Sequence, residues 1–577
     1  MNIVYTDIHS CVLNNSWLSA KIKLNRGVRQ GCPLSPLLYC LVAATLGQAI
    51  RRDNSIRRFP IPGVNKQSKV WQYADDTTLI LADNYSITQS FNLINIFERG
   101  SGSRFNAQKT EGLWLGSAAG KQTGPVNITW TTDKFKILSV YFGTSNVKHA
   151  NWIDPIIKLE KRLNLWKSRT LSLKGKSLII NSIGASGLWY TATVLPMPDW
   201  VATRVNKAIY DFLWNDKKEL VKRTTCQLPF HHGGLEVINP SAKARALKLR
   251  WVPQIGDPSC TSNWVFFARY WVGLALSRKV PSVTFLRSNA CPKYIGDSPP
   301  KYFTHVLTAV DRLNLDLTLL PNYRVKTFYE KLTYPSPRRL PTAGAWEKRL
   351  HTPLPWASIW SHLYGGLSTN WEADIAWRIA HSVLKTRAYL KNWCRLNVGD
   401  RCPRCGKRES FSHALCECTS VPQVWQWAFT LINKFFSITL ALLPPTILFK
   451  DGLPTGDKRS VALVHVINEI WAARNLATFE DKPQPATATI RKMKHRLRQQ
   501  IHAAYNYNNT PVFNKTYRTL QGRQNLGLVI SLCLVINTVN RNNQYYSRGS
   551  RRHIFELYRA AKTSGPSILF LTPLIFL

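Results

Sequence analysis

One segment constrains this chain more than any other. Val70-Trp71-Gln72-Tyr73-Ala74-Asp75-Asp76-Thr77-Thr78-Leu79-Ile80-Leu81 sets two β-prone runs on either side of a tight Ala-Asp-Asp. That spacing predicts a hairpin whose turn presents adjacent carboxylates. Two carboxylates raised on a rigid turn repel one another unless a cation sits between them. Mg2+ binds through one or two carboxylates plus substrate phosphates, and paired metals clamp the entering and leaving oxygens of a phosphoryl transfer. A solvated turn carrying two aspartates is the plain alternative, and the string alone does not decide between them.

The charge balance names a class of partner. Lys and Arg number 77 against 32 Asp and Glu in 577 residues, a formal charge of +45. At 45% hydrophobic with 21 Trp, the chain has material for sizeable cores, which excludes wholesale disorder. A folded chain so charged repels itself unless a polyanion is near, and nucleic acid fits, because each neutralised phosphate releases counterions. An acidic membrane surface is the weaker rival. The longest apolar runs, Leu526–Ile536 and Ile568–Leu577, are too short to span a bilayer, so no membrane partner is expected. Twelve scattered cysteines do not resemble a disulfide framework, and MNIVYTDIHSC has no signal-peptide pattern. The expectation is a reducing, intracellular location, cytoplasmic or nuclear.

Periodicity organises part of the chain. Ser35-Pro36 reads as a helix start, Ser accepting free amide hydrogens and Pro losing nothing at the first helical position. Leu34, Leu38, Leu41, Thr45 and Ala49 then follow at helical spacing. Trp152, Ile156, Leu159, Leu163 and Trp166 share a second helical face, with Lys158, Lys161, Arg162, Lys167 and Arg169 on the others. Val201, Val205, Ala208 and Phe212 repeat the pattern. Residues 251–395, rich in Pro and Trp, give little signal, and Pro299-Pro300, Pro335-Ser336-Pro337 and Pro444-Pro445 mark connections. Cys402, Cys405, His413 and then Cys416 or Cys418 have the spacing of a closed tetrahedral zinc site, with Cys394 nearby. Past a helix holding Val461–Phe479, the basic run Arg491–Arg498 suits either RNA contact or a solvated face.

The Ala-Asp-Asp segment does not stand alone. Upstream lies Arg26-Gly27-Val28-Arg29-Gln30-Gly31-Cys32-Pro33-Leu34-Ser35-Pro36; downstream come Phe105-Asn106-Ala107-Gln108-Lys109-Thr110 and Ile137-Leu138-Ser139-Val140-Tyr141-Phe142-Gly143. Trp166-Lys167-Ser168-Arg169, Leu171-Ser172-Leu173-Lys174-Gly175-Lys176, Phe212-Leu213-Trp214-Asn215 and Gly233-Gly234-Leu235 continue the series. In order and spacing these resemble the reverse transcriptases of LINE-type (non-long-terminal-repeat) retrotransposons, over the first 250 residues and again at the cysteine cluster.

The resemblance implies an α+β polymerase palm of the right-hand reverse transcriptase type, partial here, then a mainly α-helical thumb and C-terminal region with a small zinc knuckle. The corresponding units are a palm at 1–145, a thumb at 146–250, a connector at 251–395, a zinc-binding segment at 396–430 and a basic tail at 431–577. It makes Asp75 the principal ligand of Mg2+ (or Mn2+), with Asp76 in support. It places Arg29, Gln30, Gly31 and Tyr73 at template and nucleotide, and Lys109 near the triphosphate as an acid for departing pyrophosphate. It selects Cys418 over Cys416 as the fourth ligand of a structural Zn2+, with Cys402, Cys405 and His413. Ser139 stands where the family usually has Gly.

The family's third carboxylate would fall about two dozen residues before Met1, and Asp7 lies too close to the Arg26–Gly31 loop to replace it. The expectation is therefore a fragment of a retrotransposon polyprotein, inactive alone. The alternative is a non-catalytic RNA- or DNA-binding zinc protein from a decayed element. The implied partners are an RNA template, a DNA primer or target and deoxynucleoside triphosphates, with chaperones drawn to an uncovered palm edge.

Overall fold

The Val70–Tyr73 and Asp76–Leu79 strands pair antiparallel with Tyr73 opposite Asp76, leaving Ala74-Asp75 as the turn. In this computed structural model the described residues are 8–24, 32–57, 59–61, 67–115, 118–143, 147–257, 259–276, 301–313, 323–334, 340–364, 369–436 and 458–507. Asp7, Arg29, Gln30, Gly31, the proline pairs 299–300 and 444–445, the run 335–337 and both apolar C-terminal runs lie outside them. Every sheet among the described residues is a two-stranded pair.

The hairpin rests on two helices, Ser35–Arg52 and Asn84–Ser101. Val70 joins Leu46, Ile50, Ile56 and Ile94 in a small buried core. Gln72 donates from Nε2 to the Ala43 carbonyl at 3.0 Å. Gly47 makes that approach possible, since a Cβ there would lie 2.1 Å from Gln72 Oε1. Lys69, buried, donates to the carbonyls of Ile50 and Asp53, so a cation satisfies the end of the first helix.

Two expectations for that helix need correcting. Leu34, not Ser35, occupies the cap position, and it already has helical backbone (φ −81°, ψ −28°), so no side chain caps the end. A capping side chain needs an extended cap residue, and the turn from Cys32 into Ser35 does not supply one. The buried face is Ser35, Leu46, Gly47 and Ile50, whereas Leu34 and Leu41 are exposed. The core of Val70, Ile56 and Ile94 meets only the C-terminal half of the helix.

From residue 147 onward the described residues are mainly helical. Trp152, Ile156, Leu159 and Leu163 of the Val147–Lys167 helix are buried, as are Val201, Val205 and Phe212 of the Asp199–Trp214 helix. The short motifs between them act as joints. Ser172 caps the helix Leu173–Ile179 through the Gly175 amide. Lys176 donates from that helix to the carbonyls of Phe212 (3.2 Å) and Leu213 (3.0 Å) and to Asn215 Oδ1 (2.5 Å), tying down the end of the next. Gly234 passes so near Leu228 that a Cβ would meet its carbonyl oxygen at 1.9 Å.

The same core continues into the Trp-rich stretch, through Trp346, Trp360, Ile375 and Trp377, and on to Ile467, Trp471 and Met493. Helix Lys458–Phe479 runs through it, every residue from Val464 to Trp471 being buried. Phe479, by contrast, is exposed, and Arg496 of the basic run pairs with buried Glu469. No helix among the described residues is long and apolar enough to cross a membrane.

Asp374 is buried where it accepts from the Leu173 amide (2.6 Å) and the Tyr364 hydroxyl (3.0 Å). Burial raises its pKa to about 6 despite those bonds. Above that pH the folded state holds a buried charge that the unfolded chain carries in water, so its contribution to stability falls as pH rises from about 4 to 6. Relative to Asp374→Asn, the wild-type chain should lose on the order of 1–3 kcal/mol between pH 4 and pH 7. Urea unfolding of both proteins at the two pH values measures this, and a pH-independent difference would contradict it.

Candidate active site and metal centre

The hairpin turn concentrates negative charge. Ala74 holds a left-handed backbone (φ 52°), a conformation that costs a residue with a Cβ and is often kept where function needs it. Asp75 and Asp76 are both half-buried, and Tyr73 is 54% exposed. Partial burial, and then the charge of Asp75, hold the Asp76 carboxyl above the usual range. Tyr39, from the supporting helix, is raised by burial and then by Asp75. Tyr190 approaches from the far side of the chain: its hydroxyl donates to the Leu138 carbonyl at 2.5 Å, and burial, then Tyr73 and Asp76, raise it. Two adjacent carboxylates, with Asp76 raised in part by the charge of Asp75, are the oxygen donors that a hard divalent cation takes.

Tyr39 and Tyr190 escaped the sequence reading, because nothing in their local segments marks them. Lys109 is exposed at the end of the short turn Ala107–Lys109, whose start Asn106 caps through the Lys109 amide. Ser139 and Leu138 form the turn of the Lys134–Ile137/Val140–Gly143 hairpin, both with positive φ (69° and 43°). That is a conformation glycine adopts freely, so the serine is held there under strain.

The second site lies at the far end of the chain. Cys402, Cys405, His413 and Cys418 bring their ligand atoms within 4.8 Å of one another. Sγ of Cys418 lies 3.8 Å from Sγ of both Cys402 and Cys405, and Cys405 Sγ is 3.2 Å from His413 Nε2. A tetrahedron with metal–sulfur bonds of about 2.3 Å has edges near 3.8 Å, which the two Cys418 distances match, so the donor set is one that could hold Zn2+.

The local fold explains the spacing. The Gly406 amide donates to Cys402 and the Cys402 amide to Lys407, closing a knuckle that Gly406 completes in the left-handed region (φ 73°). His413–Glu417 is a π-helical turn, and the Cys418 amide donates back to His413, which brings both ligands to one side. Cys416 points elsewhere, and burial pushes its thiol up to about 12. Neither it nor Cys394 joins the cluster. Arg404 donates to the Ala414 carbonyl at 3.1 Å and so braces the Cys402–Cys418 segment. Lys407 and Arg408 remain exposed.

A buried ion pair secures this segment. Glu409, between the second and third ligands, pairs with Arg474 of the central helix, both side chains being 0% exposed. Arg474 Nε donates to Glu409 Oε1 at 2.8 Å, and the guanidinium stacks 4.7 Å from the Trp471 ring centre. The other carboxylate oxygen accepts from the Arg387 amide at 2.8 Å.

A turn-borne carboxylate pair on a helix-backed hairpin and a Cys3His cluster that could hold a metal ion are the two candidate sites among the described residues. Residues 3–142 match the family described as reverse transcriptase (RNA-dependent DNA polymerase). Over 269 residues, 44% of the chain, it is 28% identical to the transposon TX1 uncharacterized 149 kDa protein of Xenopus laevis. The match spans 20% of that relative's length. Both matches agree with the resemblance to retrotransposon reverse transcriptases read from the motifs.

Removing one member of a buried pair strands the other charge, so Arg474→Ala should cost about 3–5 kcal/mol in urea unfolding. Replacing both, as Arg474→Met with Glu409→Leu, should recover most of that loss. Equal destabilisation by the single and double variants would show that the pair is not the cause.

Proposed function

We propose that this chain contributes the catalytic hairpin and the nucleic-acid-gripping regions of a retrotransposon RNA-directed DNA polymerase. The observation that carries the reading is the half-buried Asp75-Asp76 pair, held on its turn with Asp76 raised by burial and by its neighbour. Asp75 would be the principal ligand of Mg2+ (or Mn2+) and Asp76 the second. The divalent ion, when bound, neutralises triphosphate charge and activates the primer hydroxyl. Tyr73 would lie beside the primer or nucleotide, Arg29, Gln30 and Gly31 at template and nucleotide, and Lys109 near the leaving pyrophosphate. The helices at 146–250 would act as thumb behind a palm at 1–145. RNA template, DNA primer or target and deoxynucleoside triphosphates are the partners this chemistry needs.

Four protein ligands would fill the coordination shell of zinc at Cys402, Cys405, His413 and Cys418, so the metal there folds and holds instead of catalysing. The formal charge of +45 also supports a second reading, a protein that binds RNA or DNA without synthesis. Primer extension on poly(rA)–oligo(dT) with Mg2+ tests activity directly. The expectation of a fragment inactive alone predicts no extension, and extension that falls by about 10²–10³-fold or more in Asp75→Ala would overturn that expectation and make the hairpin catalytic in this chain. Without extension, Mg2+-dependent binding of a deoxynucleoside triphosphate that Asp75→Ala abolishes would favour the polymerase fragment, and salt-sensitive nucleic-acid binding without it the second reading.

The zinc assignment has its own measurement. Purified wild-type chain should carry about one equivalent of zinc by elemental analysis, lost in Cys418→Ser and kept in Cys416→Ser. Loss in the Cys416 variant alone would reverse the ligand assignment.

A further inference from the structure

Several separate segments converge beside the C-terminal end of the Asp199–Trp214 helix. Lys176 fixes that end through Phe212, Leu213 and Asn215, which places Asp216, Lys217 and Lys218 next to it. Lys167, the last residue of the Val147–Lys167 helix, pairs with Asp216. Asp374, bonded to the Leu173 amide, stands one helical turn before Arg378, and the Val383 amide donates to the Arg378 carbonyl at 2.8 Å. That bond sets the loop carrying Lys385 against the same place. Lys218 closes the arrangement by donating from Nζ to the Trp393 carbonyl at 3.2 Å.

Three features of this seam lack an internal explanation. Cations crowd together: Lys167, Lys176, Lys217, Arg378 and Lys385 act on one another, and among the described residues Asp216 pairs with Lys167 while Asp374 acts on Lys176. Arg378 Nε is buried without a hydrogen-bond acceptor among the described residues. An orphaned guanidinium nitrogen costs free energy that an anionic oxygen would recover. Trp393 then projects from the edge, its surface 73% exposed. A large aromatic left in water beside unpaired cations has no packing role to account for it.

The cations repel one another. Burial, followed by Arg378, lowers Lys176 to about 8, with Lys167 and Lys385 adding to the effect. Lys385 is lowered by burial and then by Arg378 and Lys217. The structure holds these groups together against that repulsion.

We propose that this seam is a binding site for single-stranded nucleic acid, with Lys217, Arg378 and Lys385 receiving backbone phosphates and Trp393 stacking on an unpaired base. A cationic groove with an exposed aromatic is the arrangement that grips a single strand, because every unpaired base offers a face to stack on and a duplex does not. The site lies on the helical region, apart from the Asp75-Asp76 hairpin in sequence and in core. It rests on the reading that the chain handles nucleic acid, and it specifies where a strand outside the duplex is held.

Fluorescence anisotropy with the full chain tests it, using a labelled single-stranded oligonucleotide and a labelled blunt duplex. Trp393→Ala, at an exposed position that folding does not need, should weaken single-strand binding about tenfold, the loss of about one stacked base. It should leave duplex binding within about twofold, since a paired base is not free to stack. The double variant Lys217→Glu/Lys385→Gln should reduce the slope of log affinity against log salt by about 1, the loss of one or two phosphate contacts. Single-strand affinity unchanged in Trp393→Ala, or lost equally for duplex, overturns the proposal. Steep salt-dependent binding by the wild type, with neither variant differing from it, removes this site and leaves the polymerase reading standing. Absence of nucleic-acid binding by the wild type removes both.

Discussion

Arg474 and Glu409 meet where no water reaches, and two parts of the chain that are far apart in sequence depend on that meeting. Glu409 sits inside the segment that carries the Cys and His cluster, and Arg474 sits on helix Lys458–Phe479. A buried ion pair is seldom a net source of stability against an apolar replacement, but it is demanding about geometry. It orients the knuckle relative to the central helix, while the Arg387 amide and the Trp471 ring hold the two groups in place. The Cys and His ligands are thereby mounted on the large core and not left as an independent appendage.

What could be read from sequence divides along physical lines. The hairpin and the ligand cluster were legible because each is local: a few residues, a fixed spacing and a chemistry that tolerates few substitutes. The Trp152–Leu163 stripe was legible because the helix buries one face only. Helix Lys458–Phe479 was legible as a helix over Val461–Phe479, but not its burial around nearly all its circumference in the middle, since the buried set includes the polar His465, Asn468 and Glu469. Its buried polar groups find remote partners: His465 meets Glu372 at 2.5 Å, and Glu469 meets Arg496. No local window contains such pairs. Tyr39 and Tyr190 were hidden for the same reason, since their relation to the carboxylates exists only in three dimensions. The failed Ser35 cap is of another kind, the right residue displaced by one position because the entering turn is already helical.

The motifs shared with retrotransposon polymerases also change meaning. Several of them hold no reacting group and make the frame instead. Lys176 closes a helix end, Asn215 accepts from it in a left-handed conformation (φ 54°), and Gly233 offers its carbonyl to Trp377 (3.0 Å) and His381 (2.8 Å). A lysine in such a motif invites assignment to phosphate, yet Lys176 is spent on backbone carbonyls. The cations left over for a ligand are its neighbours.

The π-helical turn at His413–Glu417 carries a consequence for how this chain can vary. Its backbone bond from Cys418 to His413 accommodates one residue more than an α-helical turn would. Deleting any residue between these ligands would restore ordinary helical winding and rotate the final thiolate by about 100° away from its partners. Side chains at 414–417 are therefore open to exchange within the limits of packing, but the length is not. The Cys and His cluster is encoded as a count as much as a composition.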